Sequence, residues 1–307
     1  MKRCKKATRL SNKMKNHFSF MAWGTGRDIK EAPEFKKYIG VGVVGINSVN
    51  PPRDGVEYVG EIDGIPTVRL AFSLAIHPTE HSDISGTTFL NLMLRKEYRY
   101  TNDKNKIQVV DKYGRFAWVT KEEMAGHKIP VNNGTPARLD ADYRPAFSGE
   151  EPLTKMMKTF MGIKEIDTYQ NGAWVPNPDI ADPAECEARF DTIDKLFKGN
   201  FKELQDLIEA RKNNKFKIVF GIRTTDDGRE FQAFYTDRFL SLNARNISRV
   251  DAEIKARQDA GGYKNTVFDT CPLKEYVVEA TDFNNTVPMA EKPAATESDM
   301  PFDMPTW

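Results

Sequence analysis

Residues 95–118 combine cations and aromatic side chains in a pattern that suits contact with a single-stranded nucleic acid. Lysine and arginine side chains can follow the phosphates while aromatic faces stack on the bases, each stack contributing about 1–3 kcal/mol. The candidate residues of this basic-aromatic segment are Arg95, Lys96, Tyr98, Arg99, Tyr100, Lys104, Lys106, Lys112, Tyr113, Arg115 and Trp118. Because every base has a face to stack on, we expect binding with little sequence preference.

Further cations and rings outside this segment extend the candidate binding site. They are Arg69, Tyr143, Arg144, Arg229, Tyr235 and Arg238. The alternative for any of these aromatic residues is a place in the hydrophobic core, with the neighbouring cations on a solvated face. The sequence leaves open which rings stack on bases and which are core.

Residues suited to catalysis or metal binding are few. His77 and His81 are four residues apart, but Pro78 and the flanking strand patterns disfavour the helix that would place both on one metal ion. The glycines at 40, 42 and 45 match GxGxxG within a strand-like run that no helix follows, so they do not indicate a dinucleotide site. We therefore predict a protein that is not an enzyme, with no catalytic residue, no metal and no cofactor.

The two ends of the chain carry opposite charges. Residues 1–15 carry +7, residues 279–307 carry −5, and the part between them carries −1, although the whole chain is only +1. The basic residues of the first segment include Lys2, Arg3, Lys5, Lys6 and Arg9. The acidic end finishes with Asp299, Met300, Pro301, Phe302, Asp303 and Trp307. We predict a basic flexible arm over residues 1–30. We also predict an acidic flexible tail over 281–307 whose rings anchor a partner protein.

The hydrophobic pattern between these ends predicts a mainly β protein with a helical insertion, in the α+β class. Residues 67–76 alternate cleanly between apolar and other residues, and residues 225–228 carry a strong hairpin signal. Helical spacing occupies about 150–213. Three strands, a helical segment and two more strands follow the order of an OB-fold, so we predict an OB-fold-like small barrel over residues 31–280.

Cysteine content and hydropathy place the chain among soluble proteins of a reducing compartment. The three cysteines, at 4, 186 and 271, are too scattered for a disulfide framework. No run approaches the roughly 18 apolar residues that a membrane span needs. We expect a cytoplasmic protein without membrane contact.

The tail resembles the acidic C-terminal tip of bacterial-type single-stranded DNA-binding proteins, through residues 299–302 (DMPF). Over about residues 35–165 the chain is similar to single-stranded DNA-binding proteins of crAss-like tailed phages, in the segments 58–61, 97–100, 110–115, 118–123 and 142–146. The resemblance implies coating of single-stranded DNA during phage DNA replication, recombination and repair, in the cytoplasm of a bacterial host. It also implies that the tail recruits replication and recombination proteins, and that the arm supports cooperative self-association on DNA.

Two other classes of function stay open at this point. An RNA-binding OB module would use the same rings and cations, because only contact with the 2′-hydroxyl separates RNA from DNA. A structural or assembly protein of a phage would dock a partner through the tail and bind no nucleic acid. A metal-dependent nuclease has less support, because the acidic pairs of the sequence fit helix starts and turns.

Overall fold

A computed structural model describes residues 36–226, 228–243, 247–262, 266–269 and 271–276. The predicted arm (1–30) and tail (281–307), with all the candidate residues assigned to them, lie outside the described residues. The described part is mainly β, with 44% strand and 18% helix. No helix within it is long and apolar enough to cross a membrane.

The strands and helices alternate in blocks along the chain. The strands are β1 (Lys37–Val49), β2 (Val59–Ile62), β3 (Ile65–His77), β4 (Gly86–Tyr98), β5 (Lys106–Asp111), β6 (Phe116–Thr120), β7 (Val131–Asn132), β8 (Thr135–Pro136), β9 (Tyr143–Pro145), β10 (Phe147–Ser148), β11 (Asp167–Gln170), β12 (Ala173–Pro176), β13 (Phe216–Thr224), β14 (Glu230–Leu240), β15 (Thr266–Phe268) and β16 (Lys274–Tyr276). The helices are α1 (Lys121–Ala125), α2 (Glu150–Met161), α3 (Ile193–Phe197), α4 (Lys202–Glu209) and α5 (Ile247–Asp259), with a 3₁₀ turn at Pro183–Cys186.

The main sheet is antiparallel and curled into a half-barrel, in the order β10-β4-β3-β1-β13-β14. β1 pairs with β13 through residues 40–44 and with β3 through residues 43–49, so its two halves have different neighbours. At residue 40, a Cβ would collide with the carbonyl oxygens of Cys271 and Pro272, which explains the glycine there. The prediction of a mainly β chain is confirmed.

The main core lies between one face of this sheet and the helices α2, α3 and α4. The predicted alternation in β3 is confirmed, because Val68, Leu70 and Phe72 are fully buried on that face. Helix α2 contributes Met156 and Phe160 to the same core. Stretch 150–213, predicted as a helical insertion, has helices at both ends and the β11–β12 hairpin between them.

A smaller sheet of three strands, in the order β6-β5-β9, follows the end of β4. Its own core contains Val109, Val119, Leu139 and Tyr143. Helix α1 follows β6 directly, and Thr120 and Glu123 form a reciprocal capping box at its start. This sheet carries much of the basic-aromatic segment.

Candidate nucleic-acid interface

An open groove of about 600 Å³ runs beside β6, the edge strand of the smaller sheet. Its lining residues are Thr101, Lys106, Arg115, Phe116, Ala117, Trp118, Ala137, Arg138 and Leu139. Three of them are cations and two are aromatic, which is the mixture that single-strand binding requires. The groove brings together the predicted residues Lys106, Arg115 and Trp118.

The alternation of β6 places Phe116 and Trp118 on one face of the smaller sheet. Trp118 pairs with Gln108 of β5, while Val119 points into the small core. The guanidinium carbon of Arg99 lies 5.4 Å from the centre of the Trp118 ring. A cation over the ring face fixes the orientation of the indole and leaves it half-buried beside the groove.

Arg99 is itself held by a network that reaches helix α2. Its Nη1 lies 3.1 Å from Oε2 of Glu151, and the Gln108 amide donates to the same oxygen at 2.7 Å. Lys155 lies 2.6 Å from the other carboxylate oxygen. Burial raises the pKa of Glu151, but Lys155, Gln108 and Arg99 outweigh that effect and hold it below its ordinary value. Arg99 therefore positions the Trp118 ring, and the Glu151 carboxylate compensates the charge of Arg99.

A tight turn over residues 101–106, the lysine turn, joins β4 to β5 and carries Lys104 and Lys106, of which Lys106 lines the groove. The Thr101 hydroxyl and the Asn105 backbone and side-chain amides all donate to the Asp103 carboxylate. The Thr101 hydroxyl and the Asn105 amide lower the pKa of Asp103. Lys104 has a positive φ of 54° within this turn, and Lys104 and Lys106 are both exposed. Within the described part of the chain, neither lysine forms an ion pair.

Arg115 and Arg138 line the groove but are paired with acids. Arg115 lies 2.8 Å from Asp111 and 2.8 Å from Asp167, and Arg138 lies 3.2 Å from the same oxygen of Asp167. Asp111 is completely buried and also accepts hydrogen bonds from the backbone amides of residues 113, 115 and 140. The two arginines and two aspartates cancel in formal charge. Of the three cations that line the groove, Lys106 is therefore the one without an acidic partner among the described residues, and Lys104 and Asp103 lie beside it in the lysine turn.

Several predicted cations have acidic partners elsewhere. Arg144 binds Glu150 through both guanidinium nitrogens, at 2.6 and 3.0 Å. Asp140 raises the pKa of Lys112, 3.6 Å away. Arg95 lies 2.9 Å from Glu97, and Lys96 lies 3.4 Å from Asp194. Each of these four cations has a carboxylate partner, so each pair has no net charge.

Three predicted rings lie in the protein core. Tyr235 is 0% exposed, Tyr143 4% and Tyr113 8%. The Tyr143 hydroxyl donates to the carbonyl oxygens of Glu123 and Lys128, each at 3.1 Å, and burial raises its pKa. For these three tyrosines the core interpretation holds in this structure, because no base can reach the ring faces.

Tyr98 and Tyr100 remain open to solvent, at 46% and 45% exposure. Tyr98 stacks on Phe147 with ring centres 5.5 Å apart, which leaves its other face available. These two rings flank the connection from β4 into the lysine turn. Among the predicted aromatic residues that the structure describes, these two are the most exposed.

Three more predicted arginines, besides Arg95, Arg99 and Arg144, lie outside the groove lining. Arg69 is on β3, with its guanidinium carbon 5.6 Å from the centre of the Tyr58 ring. Arg229 and Arg238 are exposed on the β13–β14 hairpin. The predicted set therefore does not form one continuous surface.

The sequence analysis missed Arg138, Tyr169 and Trp174. The guanidinium carbon of Arg138 lies 3.3 Å from the centre of the Trp174 ring, and Tyr169 pairs with Trp174 across the β11–β12 hairpin. Asn171 and Gly172 form the turn, both with positive φ. An Asn-Gly pair between two ring-bearing segments is a strong hairpin signal, so this hairpin could have been found in the sequence.

Comparison with known protein families, with curated proteins and with solved structures finds no significant match. Within the described residues, no group of three or more His, Cys, Asp or Glu side chains is close enough to hold a metal ion. The function is therefore inferred from the groove and the surfaces beside it.

Proposed function

We propose that this protein binds single-stranded DNA with little sequence preference, in the groove beside β6. The observation that carries the proposal is the groove itself, which combines the exposed Lys106 with the ring of Trp118 in one concave site. Lys104 and Lys106 would follow the phosphates. Trp118 and Phe116 would stack on bases.

The shape of the site favours a single strand over a duplex. In a duplex the base faces are already stacked on one another, so rings lining a groove beside a sheet edge have no base face to meet. In a single strand the bases are free to turn toward Trp118 while the phosphates stay near the lysine turn. The exposed rings of Tyr98 and Tyr100 extend the available stacking surface beyond the groove.

We also infer that the main sheet is an OB-like barrel. The order of the five long strands, β4-β3-β1-β13-β14, with helices between β4 and β13, supports this inference. In an OB-fold the face of the second and third strands and the adjacent loops bind oligonucleotides. Those strands correspond to β3, which carries Arg69, and to β4, which leads into the lysine turn.

Titration with fluorescent oligonucleotides tests the proposal. The protein is mixed with dT, matched rU and mixed-sequence duplex oligonucleotides at two salt concentrations, and both anisotropy and tryptophan fluorescence are recorded. We expect tight binding of dT with quenching, weak binding of the duplex, and loss of affinity at the higher salt concentration. Absence of dT binding at low salt would contradict the proposal. A clear preference for rU would instead make the protein an RNA-binding module.

In the cell, we propose that the protein coats DNA during phage replication, recombination and repair, in the cytoplasm of the bacterial host. The support for this role is the resemblance of the sequence, together with the charged ends. We propose that the tail recruits replication and recombination proteins through Phe302 and Trp307, and that the arm promotes cooperative self-association on DNA. Pull-down from infected-cell lysate with wild-type and Phe302→Ala/Trp307→Ala protein tests recruitment, and equal recovery of partners by both would contradict it.

A further inference from the structure

The β11–β12 hairpin carries two rings that the folded protein leaves exposed. Tyr169 is 61% exposed and Trp174 is 48% exposed, although both are large and aromatic. Their ring centres lie 5.2 Å apart, with an angle of 63° between the planes. Neither ring belongs to a hydrophobic core of the described part of the chain. Core packing therefore does not account for the presence of these two residues.

Polar contacts tie this hairpin to the wall of the groove. Asp167, at the start of β11, accepts from Arg115 at 2.8 Å and from Arg138 at 3.2 Å, and both arginines line the groove. Arg138 also donates to the backbone oxygen of Asp167 at 3.3 Å and lies over the Trp174 ring. Arg138 thus lines the groove and also lies over Trp174, so it links the ring pair to the groove.

The hairpin is built to hold its rings in a fixed orientation. Four residue pairs join β11 to β12, and Tyr169 lies directly opposite Trp174. The Arg138 guanidinium covers the indole of Trp174, so the larger free surface belongs to Tyr169. A ring held in place in advance loses little conformational entropy when it meets a flat ligand.

We propose that Tyr169, supported by Trp174, is a second stacking site for a base of the strand that passes through the groove. The proposal rests on the function proposed above. A nucleobase fits this surface better than an apolar protein segment, because Tyr169 offers an exposed flat face and the polar Arg138 guanidinium adjoins the Trp174 ring. The groove then binds one part of the strand and the hairpin binds the next.

Two single-tryptophan proteins test this proposal directly. The chain has four tryptophans, at 23, 118, 174 and 307. Replacing three of them by Phe leaves either Trp118 or Trp174 as the only indole, and each protein is titrated with dT oligonucleotides of increasing length. We expect the Trp118 signal to change with the shortest oligonucleotides that bind. The Trp174 signal should change only with longer ones.

Substitution of Tyr169 gives the affinity test. Tyr169→Ala should raise the Kd for a long dT oligonucleotide about 5- to 150-fold, as the loss of one stacked base implies, and leave the Kd for the shortest unchanged. Tyr169→Phe keeps the ring and should bind as the wild type, which separates stacking from any loss of hairpin structure. Tyr276→Ala removes an exposed ring on β16 and is the matched control.

The outcomes separate this proposal from the function on which it rests. If the Trp118 signal responds to dT while Trp174 stays silent and Tyr169→Ala binds normally at every length, the second stacking site is refuted and the groove stands. If neither signal responds and dT does not bind, the proposed function itself fails. Equal losses for Tyr169→Ala and Tyr276→Ala would also overturn the proposal, because the effect would not be specific to the hairpin.

Discussion

The salt dependence of DNA binding should depend on Lys104 and Lys106 in a way that can be calculated from the ion pairs. Arg115 and Arg138 are compensated by Asp111 and Asp167, so Lys106 is the lining cation without an acidic partner in the described part of the chain, and the exposed Lys104 lies two residues away in the same turn. For a single strand, each phosphate contact contributes about −0.7 to the slope of log K against log salt concentration. If each lysine contacts one phosphate, as the proposed function requires, the pair should contribute about −1.4 to the slope.

The salt slopes of three variants, Lys104→Ala, Lys106→Ala and the double variant, are compared with the slope of the whole wild-type chain. Each single variant should make the slope shallower by about 0.7, and the double variant by about 1.4. Between 50 and 200 mM salt, the double variant should lose about sevenfold less affinity than the wild type. Because only differences between proteins are compared, any contribution from the basic arm cancels. The assay is fluorescence anisotropy with labelled dT at four or more salt concentrations.

Lys198→Ala is the matched control, since this exposed lysine follows α3 and does not line the groove. Its slope should equal that of the wild type. The reasoning is refuted if the slope is unchanged in the double variant, or if Lys198→Ala changes it as much as Lys106→Ala does. Thermal unfolding of all variants checks that the fold is intact, and we expect little change because all three lysines are exposed.

Three further substitutions test the groove and its supports. Trp118→Ala should raise the Kd for dT about 5- to 150-fold in anisotropy titrations, whereas Trp118→Phe keeps a stacking face and should lose much less. Asp167→Asn removes the carboxylate shared by Arg115 and Arg138, so the salt slope should become steeper by about 0.7; a shallower slope would contradict the assigned charges. The pKa of Glu151 is lowered, so its charged carboxylate stabilises the fold. This stabilisation is fully present at pH values above the ordinary pKa of 4.5 and is lost as the pH falls through the lowered pKa. Urea unfolding of Glu151→Gln should therefore show a loss of about 1–3 kcal/mol at pH 7 and a weaker dependence on acid pH than the wild type shows.

The main sheet could be predicted because its signals are local. The alternation of residues 67–76 appears directly as buried and less buried faces of β3. The turn at residues 225–228 predicts strands at 215–224 and 229–235, and the structure has Phe216–Thr224 and Glu230–Leu240. Side-chain period and turn residues are properties of a few neighbouring positions, so they can be recognised in one sequence.

The sequence could not predict which cations form ion pairs, because their acidic partners are far away in the sequence. Arg115 meets Asp167 and Arg99 meets Glu151, each across 52 positions. Composition shows that cations are abundant between residues 95 and 118, but the fold decides which of them face acids. The hairpin rings have a local signal in the Asn171-Gly172 turn, but the strands beside it are four residues each, too short for a clear alternation.

The pairing of the groove arginines has a consequence for how the proposed site works. The part of the chain between residues 16 and 278 has a net charge of −1, so the attraction for phosphate proposed for the groove is local and comes from the lysine turn. Stacking on Trp118 must then provide a large share of the affinity of this part, and stacking responds little to salt. The arm, with +7 in its first 15 residues, has the opposite character, because its contribution would be electrostatic and steeply salt-dependent. Under the proposed function, the arm would attract DNA through its charge, and the groove would retain the DNA through ring contacts.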